Sequence, residues 1–307
     1  IKNWFQESFV LRKGKAHIGR TPLRRLTRYE FENTLEDVLS IKLKIPYRDA
    51  ITDRIDVSQI ESIVPSDIPG ESGFDNDALY MEQLKPPLNH LANAVHYALS
   101  EFSKDSMARK AVLGRADIPA DASAAEIQQI ISKFLLRAYR GKREQLQEYM
   151  KVYYNLYQKH VQISKDCNVS LRHVFEMILV SPEFLYRFEE SKNLDTPYPV
   201  AGLELATRLS YFLWSTAPDE ELLRLGRDGS LLQDEVLRSQ VARMLNSRKR
   251  LAISENFAGQ WLGFDDLLSN REYLSSERWN RETYDEVLFF VDELIKSDKS
   301  FLELIQS

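Results

Sequence analysis

A single cysteine, Cys167, is all that 307 residues contain. An intramolecular disulfide is therefore impossible, as are a CxxCH haem-attachment motif and a cysteine-based zinc site. Cys167 stands between Asp166 and Asn168, without the basic surroundings that activate a thiol, and reads as an ordinary residue at a helix end. Gly and Pro are scarce at 11 each, which favours long helices over a turn-rich sandwich. No apolar run approaches the roughly 20 residues that span a bilayer. The HExxH, GxSxG, P-loop and GxGxxG signatures are missing, and with them the easily read zinc-hydrolase, serine-hydrolase, NTPase and dinucleotide classes. The five histidines, His17, His90, His96, His160 and His173, are scattered. His90 and His96 are six apart and on a helix would point in different directions. Positive charge is also short: 41 Lys and Arg against 46 Asp and Glu give a net −5. That balance argues against nucleic acid as a partner. The best candidate for a local basic strip is Arg20, Arg24, Arg25 and Arg28.

What is present is helical patterning. An apolar fraction of 43% and a charged fraction of 28% are those of an ordinary globular chain. Thr27 and Glu30 form a capping box with Leu26 and Phe31 as its staple. Phe31, Leu35, Val38 and Leu39 then make one apolar stripe over 27–40. Residues 42–77, punctuated by Pro46, Pro65, Pro69, Gly70 and Gly73, read as irregular, with 55–64 able to hold a short helix or strand. Pro86-Pro87 opens a helix through Leu99, and the polar stretch 103–122 reads as a linker. Ser123 and Glu126 predict a second capping box, ahead of Ile127, Ile130, Ile131, Phe134 and Leu135. A tyrosine-rich helix follows (Tyr149, Tyr153, Tyr154, Tyr157), and then helices over 170–180, 200–214, 234–246 and 250–262, with a last one from Glu282. The expected fold is mainly α: two or three packed helical subdomains with no extensive sheet. They are an N-terminal helical domain at 1–110 with a long Pro/Gly loop, a middle helical domain at 111–195 and a C-terminal helical array at 196–307. The start at Ile1-Lys2-Asn3-Trp4, without a signal-peptide pattern, and the end at Gln306-Ser307 suggest a piece of a longer polypeptide.

Several stretches together resemble large exported proteins of planctomycetes and related bacteria, built from serial domains of unknown function and often fused to a cytochrome c-like domain. Leu23 to Leu39 (LRRLTRYEFENTLEDVL) resembles the opening of the domain numbered fifteen-eighty-seven, and Pro65-Ser66-Asp67 through Gly73-Phe74-Asp75-Asn76 resembles the rest of it. Phe134 to Arg140 (FLLRAYR) is similar to the arginine motif of domain fifteen-ninety-five, although Gly141-Lys142 replaces the Arg-Pro pair expected next. Ile178 to Arg187 (ILVSPEFLYR), Ala206 to Ser215 (ATRLSYFLWS), Pro218 to Leu222, Ala242 to Leu245 and Phe257 to Leu262 (FAGQWL) resemble domain fifteen-ninety-two. The resemblance implies an exported or periplasmic, multi-domain protein. Its partners would be other domains of the same polypeptide, a cytochrome c-like domain among them, and no covalently bound cofactor would lie in this chain. It implies no activity.

Two sets of residues stand out chemically. Asp67, Asp75, Asn76 and Asp77 gather oxygen ligands of the kind that hard cations take, with calcium as the ion, though without EF-hand spacing; Asx turns explain the same residues without a metal. Arg137 and Arg208, like Arg187, lie in apolar helical stretches, where a guanidinium needs a partner. Glu189, Glu204, Asp219 and Glu220 are the available acids, and an anion-binding pocket is the alternative. Trp214, Trp261 and the tyrosines fall at helical spacing and read as core, with a sugar-stacking platform as the alternative. The functional expectation is a non-catalytic helical scaffold or interaction module. The alternative is an enzyme or metal-assisted binding module acting on extracellular polymer or carbohydrate, with its site near 65–77.

Overall fold

A computed structural model describes residues 11–12, 15–16, 23–47, 55–83, 86–142, 145–189, 199–269 and 277–297. Two short strands pair first, β1 (Leu11–Arg12) with β2 (Lys15–Ala16). After β3 (Arg24–Arg25) comes α1 (Arg28–Leu39), opened by the predicted box: Thr27 accepts from the Glu30 amide, and the Glu30 side chain accepts from the Thr27 amide. Phe31, Leu35, Val38 and Leu39 are buried as the spacing requires. The polar side of α1 is buried as well. Glu32 accepts from Ser58 Oγ at 2.6 Å, Glu36 accepts from the Leu43 amide at 2.6 Å, and Thr34 Oγ1 lies 3.1 Å from the Tyr211 hydroxyl. Burial costs little when each polar atom finds a partner, so α1 runs through the molecule rather than along its surface.

Residues 42–77 contain more regular structure than their prolines suggest. β4 (Lys44–Tyr47) pairs antiparallel with β5 (Ile55–Ser58), Ile45 opposite Val57, and α2 (Ile60–Ile63) follows. After α3 (Ala78–Gln83) and α4 (Leu88–Lys104), the expected linker at 103–122 holds another helix, α5 (Ser106–Leu113). Asp105 caps it by accepting from the amides of Met107 and Ala108, and Gly114, at φ 82°, ends it. Its only buried residue is Ala108, so it carries no apolar stripe from which to be read.

α6 (Ala124–Ala138), α7 (Leu146–Ser164), α8 (Cys167–Leu179) and α9 (Pro182–Leu185) complete the first bundle. Only half of the second capping box forms: Ser123 accepts from the Glu126 amide, while the Glu126 carboxylate turns to Arg115, 3.2 Å away. One core cluster draws Phe31, Leu99, Phe134, Phe175 and Phe184 together from both sides of residue 110. β6 (Tyr186–Arg187) then returns to pair antiparallel with β3.

The C-terminal array consists of α10 (Gly202–Trp214), α11 (Glu220–Asp228), α12 (Asp234–Leu245), a six-residue π-helix (Ile253–Ala258), α13 (Gly259–Leu262), α14 (Asp266–Ser269) and α15 (Glu277–Lys296). Two smaller clusters hold it, one around Leu213, Trp214, Leu222 and Met244, the other around Phe264, Tyr284, Leu288 and Val291. The fold is mainly α. Among the described residues the sheets are three two-stranded pairs, and no helix is long and apolar enough to cross a membrane.

Candidate functional site

The β3–β6 pair sets Arg24 directly opposite Arg187, and residues directly opposite share one face of a sheet. Both guanidinium groups line a cleft of about 240 Å³, together with Glu30 from α1, Phe74 and Asn76 from the 65–77 loop, Arg208 and Tyr211 from α10, and Phe257 from the π-helix. Neighbouring Arg25 points the other way, 5% exposed, with Nη2 on Asp67 Oδ1 at 2.5 Å and Nη1 on the Leu26 carbonyl at 2.6 Å.

Glu30 serves three groups at once. Oε2 accepts from the Thr27 amide at 3.0 Å, and Oε1 accepts from Arg24 Nη2 at 2.7 Å and lies 3.9 Å from Arg187 Nη1. The supply of acceptors ends there. Arg24 Nη1 is buried with no hydrogen-bond partner among the described residues. Arg187 lies over the Tyr211 ring, 5.0 Å from its centre, and Glu30 is its only ion-pair partner among them. Burial foremost, then the neighbouring Arg24 charge, lowers the Arg187 pKa from its usual value.

Arg208 meets Glu189 in a fork: Nε donates to Oε1 at 2.8 Å and Nη2 donates to Oε2. Burial acts to raise the Glu189 pKa, but the hydrogen bonds and charge of Arg208 prevail and hold it lowered. Arg208 thus lies at the cleft wall, already engaged. Arg137 is elsewhere. It donates to Ser40 Oγ at 3.1 Å and to the Asp37 carbonyl, at the C-terminal end of α1, and burial lowers its pKa. A cation suits that end of a helix.

The four oxygen-bearing residues of the loop take separate roles. Asp67 holds Arg25 and also accepts from the Arg28 amide at 2.5 Å. Asn76 lines the cleft. Asp77 packs against Gly70, where an added Cβ would lie 2.7 Å from the Asp77 Cβ. The Asp75 amide donates to Gln260 Oε1 at 2.7 Å, while its own Oδ1 is buried with no partner among the described residues. Burial foremost, reinforced by the charges of Glu30 and Asp67, pushes the Asp75 pKa up to about 6. Among the described residues no three His, Cys, Asp or Glu side chains gather so as to hold a metal ion.

An aromatic row borders the cleft. Phe74 stacks on Phe257 (5.7 Å between centres, 8° between planes), Phe257 stacks on Trp261 at 5.9 Å, and Phe212 meets Phe257 edge-on at 6.3 Å. Trp214 is core as expected, with Nε1 donating to the Met244 carbonyl at 3.0 Å. Trp261 is not core: it is 51% exposed and Phe257 is 39% exposed. The regular helix expected over 250–262 would put Ile253, Phe257 and Trp261 on one buried face at four-residue spacing, and the π-helix over 253–258 breaks that register. Tyr29, half-buried on α1, donates to Glu255 of this same turn.

Sequence reasoning named Arg208, Asp75 and Asn76, which the structure brings to or beside one cleft, and Arg137, which it does not. It left Arg24 in a basic strip, Glu30 in a capping box, and Tyr211, Phe74 and Phe257 without a role in a site. The missing signal was the pairing of residue 24 with residue 187, which no local pattern announces.

No curated protein and no solved structure matches the chain. Two family models do: residues 126–189 match PSD5, protein of unknown function (DUF1595), and residues 200–307 match PSD4, protein of unknown function (DUF1592). Residues 1–125 lie outside both matches. Arg187 comes from the first matched segment, and Arg208, Tyr211 and Phe257 from the second, so the cleft forms where segments similar to two domains of unknown function meet.

Proposed function

We propose that this chain is a non-catalytic helical interaction module of a larger exported polypeptide, and that it engages a partner group at the cleft between β3, β6, α10 and the π-helix. The observation that carries this is the exposed aromatic row, Phe212, Phe257 and Trp261, beside arginine donors without enough acceptors. Contiguous exposed aromatic surface marks interaction sites, and Arg with aromatic residues supplies most binding hot spots. The partner in this reading is another domain of the same polypeptide, a cytochrome c-like domain first. Isothermal titration of that domain into the chain tests it. Saturable association weakened at least about tenfold by Phe257→Ser supports the reading, and absence of association sinks it.

A second reading, an enzyme acting on extracellular polymer or carbohydrate, is favoured by one observation: the buried Asp75 carboxyl with its pKa near 6, a value suited to general acid–base work. Its metal-assisted form would place calcium at Asp67, Asp75, Asn76 and Asp77, in competition with Arg25 for Asp67. Hydrolysis of a polysaccharide panel that vanishes in Asp75→Asn would favour this reading over the first.

A further inference from the structure

We infer that the cleft binds a small organic monoanion, a carboxylate carried on an apolar or ring-shaped body, with the carboxylate on Arg24 and Arg187 and the body against Phe74, Phe212 and Phe257. The inference rests on the reading of the cleft as a binding site and adds the class of ligand. A buried donor without an acceptor is costly, and Arg24 Nη1 is such a donor. Arg187 stands directly across the strand pair from it, and Glu30, already committed to Thr27 and Arg24, is a distant partner at 3.9 Å. Two guanidinium groups presented side by side match the two oxygens of a carboxylate.

Charge restricts the ligand further. The cleft and its wall hold Arg24, Arg187 and Arg208 against Glu30 and Glu189, three positive charges against two negative, an excess of one. Asp75, whose charge is felt by Glu30 and Arg24, adds a negative charge when ionised, and Arg140, whose charge is felt by Arg187, offsets it. A monoanion satisfies this balance, and a phosphate dianion exceeds it. The space of about 240 Å³ is below the range of drug-sized pockets and takes a body of roughly one ring. The wall facing that body is phenylalanine from three separate elements, with the Asn76 and Asn256 amides at hand for any hydroxyl groups it bears.

The test is titration of the full chain with benzoate, glucuronate, acetate, benzamide and inorganic phosphate, followed by calorimetry and by amide chemical shifts. At least one ring acid, benzoate or glucuronate, binds saturably with Kd below about 1 mM. It does so about tenfold or more tighter than acetate, which lacks the body, and benzamide, which lacks the charge. Preference for glucuronate identifies a sugar acid as the source, and preference for benzoate an aromatic one. Arg187→Gln weakens that binding at least about tenfold. Phe257→Ala, at a position 39% exposed, weakens it as well. Failure of both ring acids to saturate, tighter binding of phosphate, or unchanged affinity in both variants overturns the inference. Docking of the cytochrome c-like domain is measured separately, with none of these acids present, so a chain that docks its partner but takes no carboxylate loses this inference alone.

Discussion

Gly202 and Gly226 face each other where α10 crosses α11: a Cβ added to Gly202 would lie 2.2 Å from the Gly226 carbonyl oxygen, and one added to Gly226 would lie 2.7 Å from that of Gly202. The two backbones meet with no side chain between them, and neither obstacle is the end of a flexible side chain. Gly202→Ala therefore separates the helices and destabilises the chain by about 3 kcal/mol or more, toward the upper end of overpacking costs. Chemical denaturation measures this. A loss below about 0.5 kcal/mol would mean that the helices part freely.

Asp67 is the counter-ion that lets Arg25 be buried. Removing one partner of a buried pair leaves the other charge uncompensated, at a cost of about 3–5 kcal/mol. Asp67→Ala should show a loss of this size in urea midpoint and slope. Asp67→Asn, which keeps an acceptor for the Arg28 amide, should lose less. Equal losses would show that the retained acceptor contributes nothing and that the charge carries the whole effect.

Asp75 has a pH signature of defined sign. Its folded pKa, about 6, is above the ordinary aspartate value of 3.8, so the folded state holds the proton more tightly. The associated stability is fully present below about pH 3.8 and is lost as pH rises through 6, a swing of about 3 kcal/mol. Asp75→Asn removes the charge without emptying the site. It should be more stable than the parent at pH 7.5 and equal to it at pH 4, read as the difference between two urea titrations. A difference that does not change with pH would refute the assignment.

Arg140 combines two roles that substitution can separate. It sits at φ 56° just after α6 and is 4% exposed. Its guanidinium donates to the carbonyls of Glu183, Phe184 and Tyr186 and to the Tyr211 hydroxyl. Arg140→Ala and Arg140→Gly both leave those acceptors unpaired, and both should cost several kcal/mol. Glycine should be the milder by about 1 kcal/mol, because it relieves the left-handed backbone. If alanine were the milder, the strain argument would fail.

The helices were legible wherever an apolar stripe coincided with a cap. Thr27 with Glu30, Ser123 with Glu126, and Pro86-Pro87 ahead of Leu88 each announced an element locally. α5 was not legible, because it buries a single alanine and stripe reading needs more than one apolar residue. Nor was the cleft. Arg208 was recognisable as a guanidinium in an apolar stretch, and its Glu189 partner was among the acids expected. The juxtaposition of Arg24 with Arg187 is a contact across more than half the chain, made by two-residue strands too short to show alternation. Trp261 was misplaced for a related reason: the eye extends a regular helix through a π-turn that no residue type marks.

That π-turn bears on how the aromatic row came to face outward. A regular helix advances about 100° per residue, and a turn that closes over five residues instead of four behaves as though one residue had been inserted. Rewinding residues 253–258 as a regular helix, with no residue removed, would swing Gln260 and Trp261 about a quarter-turn around the axis and withdraw the Gln260 side-chain oxygen from the Asp75 amide. The surface that greets a partner is thus tied to the winding of one turn, and a one-residue deletion there, which removes the extra residue along with the wide turn, would leave that surface nearly in place.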